Sequence, residues 1–471
     1  MAVDYDLIIL GASPGGIEAA AIAARQGARV GLIVPSSSKS EWVWGYRPGH
    51  WFAMSQILQQ VRDRPELPPV SRPQSYPEIA EWIAVAINTL NALNSPAALA
   101  ELGVDIIDEW GEFQRHEGRL AIALQNRRLV ASSYLLALET DPRVEIDGLA
   151  EAGYLVPDRL LELKELPEEI AIIGSDPRGV EFAQLLQQLG TKVTLITPES
   201  RLLPLEEPEA DRALHIRLQG MGVTILTETE VSQARKIDRQ TWLQIDSRAI
   251  AVDRVLLVTP GPLPLDRATL EFLGMACSDR GILVNDKLQT TNPLIYACGD
   301  SIGGYSLPHL TRYEANIAVQ NALLIPIFPM RYNSFAYTIY TDPALARVGL
   351  TEAGARSRYG HKIRVITLSM QEIPGAIVLG EIAGFMKVVL RENGIVLGAT
   401  VLGARAEEII HTLSLAIANE IKLQDFQHSP GCLGSISEGL SQLCDRWNQM
   451  RWERSFWSPS LLKWWLSWVK C

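Results

Sequence analysis

The chain has 471 residues, 47% of them hydrophobic, and a formal net charge of −11. That length suits about three domains with packed cores, and the acidic balance excludes general affinity for nucleic acid. The five cysteines (Cys277, Cys298, Cys432, Cys444 and Cys471) are odd in number and widely spaced, with no C-x-x-C or C-x4-C, as unpaired thiols in a reducing compartment are. The start carries Asp4 and Asp6 and no basic segment, so no secretory signal is expected. No apolar run is long enough to cross a bilayer, and the expected location is cytoplasmic.

Residues 5–34, YDLIILGASPGGIEAAAIAARQGARVGLIV, read as strand, glycine turn, alanine-rich helix and second strand, the βαβ unit of a dinucleotide site. Gly11 and Gly16 hold the outer places of G-x-G-x-x-G, and Ser13 stands at the middle one. Its Cβ enters the space where a pyrophosphate approaches the backbone, while its hydroxyl offers a hydrogen bond there. Gly11, Ser13, Pro14, Gly15 and Gly16 are the candidate cofactor contacts of this turn. The acid expected at the end of the second strand to bind a ribose is replaced by Val34, followed by Pro35.

The next stretch crowds Trp42, Trp44, Tyr46, Trp51 and Phe52 together. Two readings stay open: packing against a cofactor or a dimer partner, and an aromatic floor for a flat ligand or an electron acceptor such as a quinone. Residues 65–77 are proline-rich and read as a surface loop. A helix is expected from about Pro77 to Leu93, then small strands to Leu138.

A second βαβ unit begins at Glu169, with Gly174 and Gly179 retained and Asp176 in the place of the middle glycine. A carboxylate there faces a nucleotide pyrophosphate at close range, which is unfavourable unless it is protonated or turned away. The strand end, where a side chain would read the nucleotide ribose or its phosphate, carries Thr197-Pro198.

Leu294 to Asn321, LIYACGDSIGGYSLPHLTRYEANIAVQN, reads as a short buried strand, a tight turn at Gly299-Asp300, a glycine loop at Gly303-Gly304 and a helix from about Pro308. The Asp300 carboxylate suits sugar or ribityl hydroxyls, and the helix aims unpaired N–H groups at an anionic or electron-rich group. Further on, MKVVLREN and GIVLGATVLG read as sheet strands. Ala406 to Glu420 reads as an amphipathic helix on which His411 is a surface or packing residue rather than a ligand.

The tail from Arg446 to Cys471 holds half of the twelve tryptophans, with Arg446, Arg451, Arg454, Lys463 and Lys470 against Glu453. From Ser460 onward it forms a short amphipathic helix suited to a membrane headgroup boundary; docking on a protein partner and packing on its own dimer are the alternatives.

The segment around Asp300 resembles the second FAD-binding signature of the pyridine nucleotide–disulfide oxidoreductases, which include dihydrolipoyl dehydrogenase, glutathione reductase and mercuric reductase. The resemblance runs from Tyr5 to about Trp447. It implies that Asp300 holds the ribityl chain and that the turn and helix at Leu307 to Leu310 lie along the pyrimidine edge of the flavin, with Gly299, Leu307 and His309 also assigned as cofactor contacts. It also exposes departures. The redox-active C-x4-C falls on Val43 and Pro48, and the lysine that pairs with Glu181 falls on Phe52. Glu181 is therefore expected to lack its partner. The family's A-T-G crossing becomes Ala137-Leu138-Glu139, and Pro262 stands for an arginine beside Gly261 and Pro264. Residues 335–350 resemble the opening of the interface domain of a two-fold dimer. In the loop H-P-T-x-S-E, Glu438 is retained but the catalytic histidine becomes Leu433, with His428 five residues earlier.

The expected architecture is α/β: two Rossmann-like dinucleotide-binding domains, FAD and NAD(P)-type, plus a C-terminal α+β dimerisation domain. The FAD domain is assigned to 1–153 and 269–329, the degenerate NAD(P)-type domain to 154–268, the dimerisation domain to 330–447 and the tail to 448–471. The expected protein is an FAD-binding flavoprotein oxidoreductase and homodimer that has lost dithiol chemistry and passes electrons from flavin to a small acceptor. FAD is the expected cofactor and NAD(P)H binding is doubtful; no catalytic residue and no metal site is assigned. The alternative is a catalytically silent FAD-binding scaffold. The tail is assigned to a membrane surface or a protein partner.

Overall fold

The computed structural model describes residues 3–34, 76–92, 95–140, 145–259, 261–304, 307–454 and 459–469. Its contacts divide the chain into two compact units, 1–202 with 221–330, and 203–220 with 331–471.

The first unit opens with β1 (Tyr5–Leu10), α1 (Pro14–Arg25) and β2 (Val30–Ile33), followed by β3 (Asp105–Ile107) and β4 (Ala131–Leu136). A second βαβ unit follows: β5 (Glu169–Ile173), α2 (Pro177–Gln188), β6 (Lys192–Ile196), then β7 (Thr224–Leu226) and β8 (Arg254–Leu257). The chain returns through β9 (Ile295–Ala297) into α4 (Pro308–Leu323), α3 (Pro208–Gly220) lying between β6 and β7 in sequence.

Two parallel sheets result, in the orders β9-β4-β1-β2-β3 and β7-β6-β5-β8. Parallel strands covered on both faces need apolar side chains on both, and Leu7, Ile8, Ile9 and Leu10 are all buried. Leu7 and Ile9 pack with Ala19, Ala20 and Ala23 of α1 and Ala315 and Ala318 of α4. Ile8 and Leu10 turn to the other face, against Tyr134, Leu270 and Met275. The alanines of α1 let two helices lie close over one sheet. The helix expected at about Pro77–Leu93 spans Tyr76–Ala92.

The second unit is an antiparallel sheet of β10 (Ala336–Ile339), β11 (Leu345–Gly349), β12 (Ile363–Ser369), β13 (Phe385–Arg391) and β14 (Val396–Leu402), ordered β10-β11-β14-β13-β12. It packs α5 (Ala406–Ala418) and α6 (Glu438–Arg454) into a core that includes Leu413, Leu443 and Trp447. The sequence boundary at 447/448 falls inside α6. His411 lies on the exposed face of α5.

The segment 203–220 is bound to this unit by charge. Lys387, in the middle of β13 and 4% exposed, meets the carboxylates of Glu207 at 3.0 Å and Glu352 at 2.8 Å and also that of Glu209. Arg347 on β11 holds the buried Glu206 at 2.8 Å, and Tyr337 donates to the same carboxylate. Four adjacent acids would repel one another without these partners, so the anchor is strongly directional.

Lys387→Met leaves Glu207 buried without its cation and is expected to destabilise the chain by about 3 kcal/mol, read as a lower urea midpoint. Hydrogen bonding to Lys387 holds the Glu352 carboxyl below its usual range. Its contribution is therefore present above the unfolded pKa and lost as pH falls through the lower folded one. Acid unfolding below about pH 4 should be less steep in the Lys387→Met protein.

Candidate functional site

The first glycine turn leaves β1 at Gly11 with φ of +105°. A Cβ built there would lie 2.3 Å from the Ala137 carbonyl oxygen, and one on Gly16 would lie 2.1 Å from the Gly11 carbonyl oxygen. Both positions therefore require glycine. Ser13 is buried and its Oγ accepts from Gly16 N–H at 3.2 Å, with Pro14 opening α1. Its hydroxyl caps the helix as well as filling the middle-glycine place. Being neutral, it leaves the positive end of α1 receptive to an anion. Val34 is buried in the sheet core.

The Asp300 segment closes on this turn. Cys298 follows β9, Gly299 turns at φ of +64°, and Gly299–Ile302 form a single 3-10 turn. Thr311, on the first turn of α4, fills the space above two glycines from opposite ends of the sequence. A Cβ on Gly15 would sit 2.5 Å from its Cγ2, and one on Gly299 would sit 2.6 Å from it. The buried Glu314 carboxylate accepts Gly299 N–H at 2.7 Å, and Arg312 pairs with Glu18 of α1 at 3.3 Å. Ser301 Oγ accepts Leu138 N–H at 2.8 Å, tying the segment to the strand crossing at 137–139.

Asp300 is half-buried and accepts from Thr140 Oγ1 at 3.4 Å. Leu307 is the N-cap of α4 and offers no side-chain acceptor, so this helix start, unlike that of α1, has no side-chain cap from its N-cap residue. His309 is exposed on its first turn. The structure thus brings Gly11, Ser13, Pro14, Gly15, Gly16, Gly299 and Asp300 together around the contact of α1 with α4. The residues that lock them, Thr311 and Glu314, were not singled out by sequence. Their signal was a helix register placing both one turn apart beneath the Gly299 turn.

Cys298 lies beside this turn, fully buried. Burial, with the nearby charges of Glu314 and Asp300, pushes its thiol well up, so it is not a thiolate nucleophile. Among the described residues no group of His, Cys, Asp and Glu side chains is arranged to hold a metal ion.

The second glycine turn repeats the backbone with different chemistry. Gly174 has φ of +142°, and a Cβ there would lie 1.9 Å from the Val258 carbonyl oxygen. Asp176 is the N-cap of α2. Its carboxylate accepts from Arg178 N–H at 2.9 Å and from Arg178 Nε at 2.8 Å. It has turned onto the helix end and a guanidinium, the second of the two escapes left by the sequence. The positive end of α2 is thus satisfied by an internal anion. Thr197 is buried, its Oγ1 accepting Glu199 N–H at 3.2 Å. Glu181 has an interaction of its own, and Phe52, which stands at the place of the family's lysine, lies outside the described residues. Val43, Pro48, Phe52 and the aromatic group from Trp42 to Phe52 lie outside the described residues.

In the second unit Leu433 is 90% exposed. Glu438 opens α6 and its carboxylate accepts Gly434 N–H at 3.3 Å, while His428 is exposed beside Gln427.

The comparisons with known proteins agree with this geometry. The model of the pyridine nucleotide-disulphide oxidoreductases matches residues 5–320, and that of their dimerisation domain matches 335–443. The chain belongs to the pyridine nucleotide-disulphide oxidoreductase family. It is 26% identical over 450 residues to a mercuric reductase of Staphylococcus aureus, covering 93% of this chain and 81% of the other. It is 28% identical over 436 residues to a dihydrolipoyl dehydrogenase of Chlamydia trachomatis, covering 89% and 91%. Among solved structures, the HOCl-induced flavoprotein disulfide reductase RclA of Escherichia coli matches with a TM-score of 0.78 at 25% identity, over 94% of this chain and 99% of that one.

The family is one of FAD-dependent oxidoreductases, and the cradle around Gly11, Gly16 and Asp300 fits that cofactor. The two parallel sheets are its Rossmann-like folds, and the antiparallel unit is its dimerisation domain. Gly16→Ala should cost about 1 to 3 kcal/mol of stability and most of the bound flavin, read from visible absorbance after gel filtration. Gly179→Ala provides the control: its Cβ would have ordinary contacts from 3.7 Å, so stability is expected to hold or rise by up to about 1 kcal/mol.

Proposed function

We propose that this chain is an FAD-binding oxidoreductase that works without a protein dithiol and passes electrons from flavin directly to a small acceptor. The observation that carries the reading is a family cradle with glycine at both tight positions in a chain whose five cysteines contain no C-x4-C. FAD bound there supplies hydride acceptance and one-electron release, neither of which needs a thiol. Gly11 and Gly16 admit the pyrophosphate to the start of α1, and the Asp300 carboxylate accepts from ribityl hydroxyls. The start of α4, whose N-cap Leu307 offers no side-chain acceptor, would supply N–H groups to an electron-rich part of the flavin. An exposed leucine, Leu433, stands where the resemblance puts the catalytic histidine, which fits a reaction without a dithiol and its base.

NAD(P)H is a poor donor on this reading. Asp176 presents a negative charge at the start of α2, where it engages Arg178. The same observation favours a second reading, a silent FAD-binding scaffold. The two separate when NADH or NADPH is added to the purified protein without oxygen. A yellow protein whose flavin band holds, yet bleaches with an artificial reductant and recolours with a soluble quinone, fits direct transfer. A colourless protein that stays colourless in excess FAD overturns the enzyme reading. Asp176→Gly should raise NADH affinity at least tenfold, measured by fluorescence titration.

The tail helix α7 (Pro459–Val469) adds a peripheral membrane attachment to the proposal. Trp464, Trp465, Leu466, Trp468 and Val469 are all exposed, and an uncovered helix of this length is marginal in water. Tryptophan and lysine together suit an anionic membrane surface. No helix among the described residues is long and apolar enough to cross a membrane. Ending the chain at Arg454 should weaken sedimentation with phosphatidylglycerol vesicles at least tenfold and leave the visible spectrum intact; unchanged sedimentation removes this part of the reading.

A further inference from the structure

The second unit carries a groove of about 530 Å³ lined by Arg358, Tyr359, Lys362, Arg391, Glu392 and Asn393. Three elements bring its cations together. Arg358 and Tyr359 end the helix Glu352–Tyr359, Lys362 directly precedes β12, and Arg391 ends β13. The pairing of Ile363 with Arg391 fixes their register. The guanidinium carbons of Arg358 and Arg391 lie 5.6 and 5.1 Å from the centroid of the Tyr359 ring, so one aromatic ring holds two cations.

The charges are not balanced locally. Glu392, the one acid of the lining, is taken by Arg364 at 2.6 Å, and Arg356 is taken by Glu352 at 2.7 Å. Among the described residues, Arg358, Lys362 and Arg391 have no carboxylate within ion-pair distance. A helix C-terminus accounts for Arg358 as a partner of the backbone dipole, but not for Lys362 or Arg391. Three cations converging on a concave surface of a chain with net charge −11 call for an anion of more than one charge.

We infer that this groove is a binding site for a phosphate-bearing polyanion. Guanidinium forks pair with phosphate oxygens two at a time, and the adjacent lysine adds a third charge. The shared chemistry has two sources, a soluble compound with neighbouring phosphates or the phosphate headgroups of an anionic membrane.

The full chain is titrated calorimetrically with inorganic pyrophosphate, and its sedimentation with phosphatidylglycerol and phosphatidylcholine vesicles is measured in parallel. Both are repeated with Arg358→Gln/Arg391→Gln and with Lys362→Gln, the visible flavin spectrum reporting that the fold is kept. Pyrophosphate binding that weakens at least tenfold in the double variant and several-fold in Lys362→Gln establishes a soluble ligand. Absent pyrophosphate heat, with phosphatidylglycerol binding weakened at least fivefold by the same variants, establishes a headgroup. Raising the salt from 50 to 300 mM should weaken either. If neither readout responds to the substitutions, the proposal is overturned; that is also the result expected were the groove's partner an acidic protein surface.

Discussion

The close approach of α1 to α4 is the contact on which the first unit depends. Thr311 can cover Gly15 and Gly299 only because neither carries a Cβ, and the alanine face of α1 permits the same approach along its length. Close packing of this kind tolerates little change in volume, since displacing one methyl moves a helix and not just a side chain. The ion pair between Arg312 and Glu18 and the bond from Gly299 to Glu314 then fix rotation and register. A segment near residue 300 and one near residue 15 become a single cradle through these few contacts.

Three helix starts in the first unit show how much chemistry one residue decides. α1 begins with a neutral serine hydroxyl, α2 with an aspartate already paired to arginine, and α4 with a leucine that offers no acceptor. The backbone presents the same partial positive charge each time. A hydroxyl satisfies one N–H without opposing an incoming phosphate, whereas a carboxylate both satisfies it and repels one. The same strand, turn and helix can therefore present different electrostatics at the helix start, set by the one residue that caps it.

Much of this was legible in the sequence, because glycines at fixed spacing and long apolar strands dictate local geometry. The βαβ units, the turn at Asp300 and the helix from Pro308 lie where the pattern puts them. The rest depended on tertiary partners. Nothing in SDPRG says that Asp176 prefers the guanidinium two residues on to the solvent. The segment 203–220, with the helix Pro208–Gly220, lies between two strands of the second parallel sheet in sequence, yet its Glu206 belongs with Arg347 and its Glu207 and Glu209 with Lys387. The pattern in the tail located the amphipathic stretch to within a residue of its start at Pro459, but the boundary at 447/448 falls inside α6, which runs unbroken through Trp447, whose buried indole the composition cannot distinguish from the exposed ones after it.

The Lys387 anchor and the Arg358 groove use opposite solutions to one electrostatic problem. At Lys387 a buried cation is surrounded by carboxylates from two segments, and the low local dielectric makes each partner indispensable. At the groove the excess cations stay in contact with water, which screens their repulsion at little cost to the fold. A charge cluster needed for stability is expected to be buried and internally matched. One left exposed and unmatched beside an aromatic ring is placed to exchange its water for a ligand, and that difference is the physical ground for assigning a binding role to the second cluster and only a structural one to the first.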